Sequence, residues 1–236
     1  MAIIVITGAS QGIGAATAQA FSKLKDATVI LLARTESALE AVTQICRSHG
    51  ADAHYIICDV TNEESVKHAA QKILTEWGVP DVLVNNAGVF SQTSFLNSDC
   101  TQFQAQLNEN VVSAYLVTQA FITAMLGKGS GDLFFLCSIA SLKAYGDTVL
   151  YTTAKHALLG FARGLREELK TRGIRVTALM PGATLTPSWD GVGIAEEKFI
   201  PAEDVANIIV HIHQLDKRTD VEEIIIRPRL GDLVFD

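Results

Sequence analysis

Ala2-Ile3-Ile4-Val5-Ile6-Thr7-Gly8-Ala9-Ser10-Gln11-Gly12-Ile13-Gly14 is the stretch whose reading decides the fold. It begins as a short, unbroken apolar run rich in β-branched residues, the pattern of a strand buried on both faces in a parallel sheet. Glycines follow at once in a Gly-x-x-x-Gly-x-Gly spacing, and an alanine-rich helical stretch runs on to about Lys23. Strand, glycine turn and helix together make the setting of a phosphate-binding loop. The glycines let the backbone come close to a ligand, and the helix N-terminus offers free N–H groups to a pyrophosphate. The spacing is one residue longer than the ordinary dinucleotide fingerprint. A glycine-rich turn alone is often only a turn; here the flanks argue for cofactor binding through Gly8, Gly12 and Gly14.

Ala27–Ala33 reads as a second buried strand, and Arg34 stands 20 positions after Gly14. An acid at that strand tip would hold the ribose 2′-hydroxyl of NAD, whereas an Arg nearby accepts the 2′-phosphate of NADP. Ala33 holds the tip and a cation follows it, which favours NADP. Glu36 complicates this, since it can still reach a ribose from the first turn of the next helix. That helix spans about Glu36 to Ser48 and closes at Gly50. A third strand, Ala53–Cys58, ends at Asp59-Val60. Asp59 is suited to accept from an adenine amino group; equally, it or Asn62 caps the following helix.

Asp81–Val84 forms a fourth strand that ends in Asn85-Asn86-Ala87-Gly88. Polar residues and a glycine at the carboxyl end of a strand sit where open α/β sheets bind ligands. One Asn is expected to bridge neighbouring strands and the other to face the cofactor, although a plain Asn/Gly turn gives the same letters. From about Thr101 to Leu126, Leu107, Val111, Ala114, Leu116, Val117 and Phe121 mark one helix with a broad apolar face. Asn110 sits inside it, where an Asn is mildly unfavourable and suited to open the helix and bind a water. Leu133–Cys137 is the fifth strand, with Ser138 at its tip.

Tyr151 and Lys155 follow on a helix that runs to about Thr171. Residues four apart share a helix face, so phenol and ammonium point into the same space. A neighbouring cation lowers a phenol pKa from its usual ~10, and a Tyr tuned in this way shuttles protons near neutral pH. The pair alone is common in amphipathic helices. Ile174–Met180 is a sixth strand, followed by Pro181-Gly182-Ala183-Thr184. Residues 185–200 have no clear periodicity and read as a specificity loop or lid. A helix starts at Pro201, and Glu223–Pro228 forms a last strand at an edge.

Bulk properties fit these elements. The chain has 236 residues, 48% of them hydrophobic, with 5 prolines and no linker-like tract, which fits a single domain over 1–236. A net charge of −7 with interspersed signs argues against a nucleic-acid partner. Cys46, Cys58, Cys100 and Cys137 are scattered, with no metal-ligand spacing, so free thiols and no metal are expected. The apolar opening is too short for a leader, and no run reaches the ~18 apolar residues of a spanning helix. A cytoplasmic protein with no membrane partner is the expectation.

The loop Thr7-Gly8-x-x-x-Gly12-Ile13-Gly14, the stretch Asn85-Asn86-Ala87-Gly88, then Ser138, Tyr151-x-x-x-Lys155 and Pro181-Gly182 occur in order over essentially the whole length. Together they resemble the short-chain dehydrogenase/reductase family in its compact single-domain form. The resemblance implies a Rossmann-type, doubly wound α/β fold: a seven-stranded parallel sheet in the order 3-2-1-4-5-6-7 with helices on both faces. It implies that Tyr151 is the general acid/base, that Lys155 tunes it and holds the nicotinamide ribose, and that Ser138 hydrogen-bonds the substrate oxygen. Asn110 matches the family's water-binding helix Asn. Gly8, Ser10, Gln11, Gly12, Ile13, Gly14, Arg34, Asp59, Val60, Asn86, Ala87, Gly88, Tyr151, Lys155, Pro181, Gly182 and Thr184 fall on NADP(H) positions.

A small carbonyl compound is the implied substrate, reduced by NADPH, and homodimers or homotetramers are the implied assemblies. One departure is Gln11, where NADP-preferring relatives often carry a basic residue; Arg34 and Ser10 are left to hold the phosphate. The region 186–189 and the C-terminal strand resemble sepiapterin-reductase-like members, while the core equally resembles 3-oxoacyl-carrier-protein reductases. Phe90, Tyr145 and Trp189 suit a pocket for a flat or apolar carbonyl. Lys128 and Arg172 suit an acidic carrier protein, or are simply helix-end cations. A non-catalytic NADP-binding regulator is the third reading.

Overall fold

Alternation along the first strand sets up the two layers. Ile4 and Ile6 join one hydrophobic cluster, while Ile3 and Val5 join the other, as the period of two requires. The computed structural model describes residues 2–233; Met1 and residues 234–236, included in the single-domain expectation, lie outside the described residues. The strands are β1 (Ala2–Thr7), β2 (Ala27–Ala33), β3 (Asp52–Ile57), β4 (Val82–Asn85), β5 (Gly131–Leu136), β6 (Ile174–Pro181) and β7 (Glu223–Ile226). The helices are α1 (Gly12–Phe21), α2 (Glu36–Ser48), α3 (Glu63–Glu76), α4 (Cys100–Leu107), α5 (Ser113–Lys128), α6 (Val149–Leu169) and α7 (Ala202–Gln214).

All strand pairs are parallel, in the order β3-β2-β1-β4-β5-β6-β7. Helices α1, α2 and α7 cover one face of the sheet; α3, α5 and α6 cover the other, with α4 against α6. The order reverses between β1 and β4, and the crevice at that switch point is where such sheets take ligands.

The single helix expected from Thr101 to Leu126 is interrupted. A π-helical turn, Asn108–Val112, separates α4 from α5. Its cause is visible at Asn110, which is fully buried and donates its side-chain amide to Gln106 O at 3.1 Å and to Val89 O at 3.0 Å. A side chain that takes the carbonyl four residues back opens the ladder.

Within the unit Cys100–Lys128, an 18-residue window reaches a mean hydropathy of 1.3, which by length and composition alone is apolar enough to cross a membrane. The unit holds no unbroken run of ~18 apolar residues, since Gln104, Gln106, Asn108, Glu109, Asn110 and Gln119 interrupt it. Ala114, Val117, Phe121 and Met125 of this unit pack in the sheet's core.

At the amino ends of β5 and β6, Asp132 is buried among cations. It accepts from Arg175 Nε at 2.7 Å and Nη2 at 3.0 Å, from Lys217 Nζ at 3.1 Å, and pairs with His213 Nδ1 at 2.6 Å. Arg175 also donates to the carbonyls of His213 and Thr219, which fixes the chain between α7 and β7.

Candidate active site

The glycine loop is built around Thr7. Its hydroxyl donates to Val84 O and accepts from the N–H groups of Asn86 and Ala87, which ties β1 to β4 across the switch point. Asn86 completes the tie, donating its amide to Thr7 O at 2.9 Å and Gly8 O at 3.1 Å. Asn85 turns the other way and donates to Thr118 on α5. The expectation that one Asn bridges is met by Asn86, and the other anchors a helix rather than facing the crevice. Gly8 and Gly12 hold φ of 63° and 56°, in the left-handed region that favours glycine.

Beyond β2, Arg34 is exposed on the rim of the crevice with Thr35. Glu36 opens α2 and accepts from the Tyr55 hydroxyl at 3.3 Å, which holds it toward β3 and off the crevice wall. Asn62 is the cap of α3, accepting from Ser65 N. Asp59 instead folds a turn, accepting from the N–H and hydroxyl of Thr61, and lines the crevice. Those hydrogen bonds, with the Arg34 charge, hold its carboxyl below the ordinary range.

The reacting groups gather at the carboxyl ends of β4 and β5. Ser138 caps a short turn: its Oγ accepts from Ala140 N at 3.1 Å, while Ser141 Oγ accepts from its backbone N–H. That acceptance leaves the Ser138 proton free to be donated, to the Tyr151 oxygen or to a ligand oxygen. Lys155 is buried and donates to Leu136 O at 2.9 Å, with Nζ 5.7 Å from the Tyr151 ring centre. Asn110 Oδ1 is buried with no hydrogen-bond partner among the described residues. It meets Lys155 across Gly88, where a Cβ would stand 2.7 Å from Oδ1 and 3.3 Å from Nζ.

Burial governs the charges here. It pushes the Tyr151 phenol up to about 12, against the lowering pull of the Ser138 hydroxyl. It also brings Lys155 down to about 8. The expected lowering of the phenol by Lys155 is therefore corrected for the protein by itself: desolvation of the phenolate is the largest cause and raises the pKa, and the lowering pull comes from Ser138 rather than Lys155. Cys137 beside them is held as a thiol, pushed up to about 11 by burial. Among the described residues, no group of three His, Cys, Asp or Glu side chains could hold a metal ion.

All these groups open into one cavity of about 610 Å³. Above Tyr151, Phe90 presents a perpendicular ring at 5.0 Å, stacks on Trp189 at 5.6 Å, and Trp189 in turn leans on Phe199 at 5.4 Å. Residues 185–200 are pinched at the base, where Leu185 N donates to Ile200 O and Ile200 N to Ala183 O. Thr186 to Trp189 line the cavity.

The short chain dehydrogenase family model matches residues 2–196. The chain belongs to the short-chain dehydrogenase family. As a short-chain dehydrogenase it is 33% identical to a sepiapterin reductase of Chlorobaculum tepidum, over 99% of each chain. It is also similar in structure to an alcohol dehydrogenase from the archaeon Thermococcus sibiricus complexed with 5-hydroxy-NADP: TM-score 0.90, 26% identity, all of both chains covered. A metagenomic short-chain oxidoreductase in complex with NADP superposes with TM-score 0.86 at 29% identity, over 96% of this chain and 97% of that one.

In this short-chain dehydrogenase every residue expected for catalysis or cofactor binding lines the cavity except Gly14. Gly14 lies behind the loop, where a Cβ would stand 2.3 Å from Gly8 O. Its role is packing. The sequence reading missed the tail. Asp232 and Leu233 border the cavity, and Asp232 pairs with Lys143 at 3.1 Å and Arg227 at 2.5 Å. No local pattern signals a residue that reaches the site from the far end of the chain.

Proposed function

We propose that this short-chain dehydrogenase reduces a carbonyl compound to an alcohol, with NADP(H) as its cofactor. The observation that carries the reading is the convergence of a Ser138 hydroxyl with a proton to give, a protonated Tyr151 and a cationic Lys155 in one cavity. The glycine cradle and the Arg34 rim support a dinucleotide with a 2′-phosphate, and Glu36, occupied by Tyr55, leaves that phosphate unopposed. NADP and its analogue in the solved relatives agree with this choice.

Bound NADPH supplies hydride to the carbonyl carbon. The chain's own groups handle the oxygen. Ser138 donates to it and fixes its direction. Tyr151 is protonated at neutral pH because burial raises its pKa, so it is a general acid with its proton in place. Lys155 is still cationic below about pH 8 and stabilises the phenolate left behind; its remaining protons hold ribose hydroxyls. Asn110 Oδ1 accepts from the water that links Lys155 to solvent.

For the substrate we favour a flat, sepiapterin-like carbonyl compound. The full-length relative and the aromatic wall of Phe90 and Trp189 support it, and residues 185–200 serve as the specificity loop. The carrier-protein alternative is weakened by Lys128, which is tied to Asp81 at 2.6 Å at the end of the sheet opposite the cavity. Exposed apolar groups on α5, α6 and β7, namely Tyr115, Val149 and Ile225, suit a homodimer or homotetramer.

The test is NADPH oxidation against a carbonyl panel that includes pterin diketones and 3-oxoacyl thioesters. Turnover of pterin diketones supports the reading. Tight NADPH binding without turnover of any compound would refute it in favour of a regulator.

A further inference from the structure

Helix α4 buries a single residue, and that residue is polar. Within Cys100–Leu107 only Gln106 is sunk in the protein, 5% exposed, while Phe103 on the same helix stays 36% exposed. The Gln106 Oε1 is buried and accepts no hydrogen bond among the described residues. A buried amide oxygen left without a donor costs about 1–3 kcal/mol, which an apolar side chain in its place would not. Oxygens of this kind are normally met by an ordered water.

Gln106 stands next to the proton machinery. Asn110, one turn on, donates its Nδ2 to Gln106 O at 3.1 Å, and its own Oδ1 is a second buried oxygen without a donor among the described residues. Residues four apart share a helix face, with Cβ atoms about 5–6 Å apart. Two waters in line span about 8 Å, three hydrogen bonds of ~2.8 Å, which is enough to join two such side chains. The two residues differ in what they border. Asn110 lines the cavity and meets Lys155 across Gly88, whereas Gln106 lies behind the cavity wall. Helical side chains lean back toward the helix N-terminus, which carries Gln106 toward the start of α4, where that helix lies against α6.

We propose that Gln106 is a positioning residue for proton resupply: its Oε1 holds a buried water that continues the Asn110 water away from the cavity, along the seam between α4 and α6, to solvent. The inference rests on the carbonyl-reductase reading and deepens it. Each reduction consumes one proton, which Tyr151 gives to the substrate oxygen as the O–H bond forms. The phenolate draws its replacement from the Lys155 side, and the Asn110 water restores the proton that Lys155 gave. That water takes its proton from the Gln106 water, which takes one from solvent. Every member of the chain loses one proton and gains one. The Gln106 amide stays neutral throughout and orients its water by accepting one O–H. A path behind the cavity wall stays open while cofactor and carbonyl fill the cavity.

The experiment uses the full chain, NADPH and a carbonyl that the parent reduces. Gln106→Met keeps the side-chain length and removes the amide; Gln106→Glu keeps an oxygen at the same reach. In Gln106→Met the steady-state kcat should fall about 2- to 13-fold, the worth of one hydrogen bond, with KM held and a larger solvent deuterium isotope effect on kcat. The first turnover, followed as stopped-flow NADPH oxidation, should match the parent, because Tyr151 begins with its proton in place. Tm should hold or rise, since an unpartnered buried oxygen is gone. Gln106→Glu should recover part of the lost kcat.

A parental kcat and isotope effect in Gln106→Met would overturn the relay. So would a first turnover and a Tm that fall together with kcat, the mark of a purely structural residue. A crystal structure of the parent with NADP+ should show an ordered water on Gln106 Oε1 that the Gln106→Met protein lacks, and a dry Gln106 would overturn the proposal whatever the turnover. If no carbonyl is reduced, the reductase reading fails by itself, and the crystal structure still decides whether Gln106 holds a water.

Discussion

Replacing Gly14 with alanine is a sharp test of how the glycine loop is built. A Cβ there would stand 2.3 Å from Gly8 O and 2.5 Å from Asn86 Nδ2, about 1.1 Å inside the 3.4 Å at which ordinary contact begins. Neither neighbour yields easily. Gly8 O is backbone, and the Asn86 amide is held by its bonds to Thr7 O and Gly8 O. Overpacking of this kind costs about 1–3 kcal/mol, and weakening two hydrogen bonds adds about 1–2 kcal/mol. Alanine's better helix propensity in α1 returns about 1 kcal/mol at most. The net loss is about 1–4 kcal/mol, or a fall in Tm of roughly 2–16 °C for a chain of this size.

Thermal unfolding followed by circular dichroism, with NADPH titrated in parallel, measures both consequences: a lower Tm and weaker binding. Gly127→Ala is the opposing control, because nothing lies within 4 Å of a Cβ at that position in α5. It should stabilise by about 0.5–1 kcal/mol. A Gly14→Ala protein that melts with the parent and binds NADPH equally well would refute the reasoning.

Three further outcomes follow from the same geometry. Arg34→Asp should lower kcat/KM with NADPH by about 10- to 100-fold, the worth of a charge-assisted hydrogen bond; equal losses with NADH would remove Arg34 from phosphate recognition. Asp132→Asn should cost about 3–5 kcal/mol in urea unfolding, since it leaves Arg175 and Lys217 without their carboxylate. Burial alone would raise the Asp132 pKa, but His213, Arg175 and Lys217 bring it from 3.8 down to about 2. That stabilisation, about 2–3 kcal/mol, is therefore complete above pH ~4 and lost as pH falls through about 2, and a variant with the same acid limb as the parent would contradict it. For catalysis, Lys155 at about 8 predicts a reductive kcat/KM that is flat near neutrality and falls as pH rises through about 8. A profile flat to pH 10 would separate Lys155 from the proton step.

The strands were legible because each central one is an unbroken buried run, such as Ala27–Ala33, whose bounds the structure reproduces. The order of the sheet came from the resemblance of the motifs, since local pattern carries no information on neighbours. The π-helical turn was half legible. Asn110 announced an irregularity, but the apolar period of Thr101 to Leu126 survives one extra residue, so the break did not show. The Tyr151–Lys155 spacing fixed proximity correctly and the phenol's direction of shift wrongly, because spacing says nothing of the desolvation that the Phe90 ring and the strand tips impose. Phe90, Trp189 and Asp232 come from three connections far apart in sequence. Phe90 and Trp189 were expected, with Tyr145, to line one pocket, and all three do; that the two rings touch and that Asp232 borders the same cavity is visible only in the folded chain.

The proton that Tyr151 gives to the substrate oxygen is the centre of the account, and Tyr151→Phe measures it most directly. The substitution keeps the ring beneath Phe90 and removes only the hydroxyl. With a carbonyl that the parent reduces, kcat should fall about 10²- to 10⁴-fold, the usual worth of a positioned general acid, while NADPH binds with the parent's affinity. A Tyr151→Phe enzyme that keeps the parent's kcat would contradict the account.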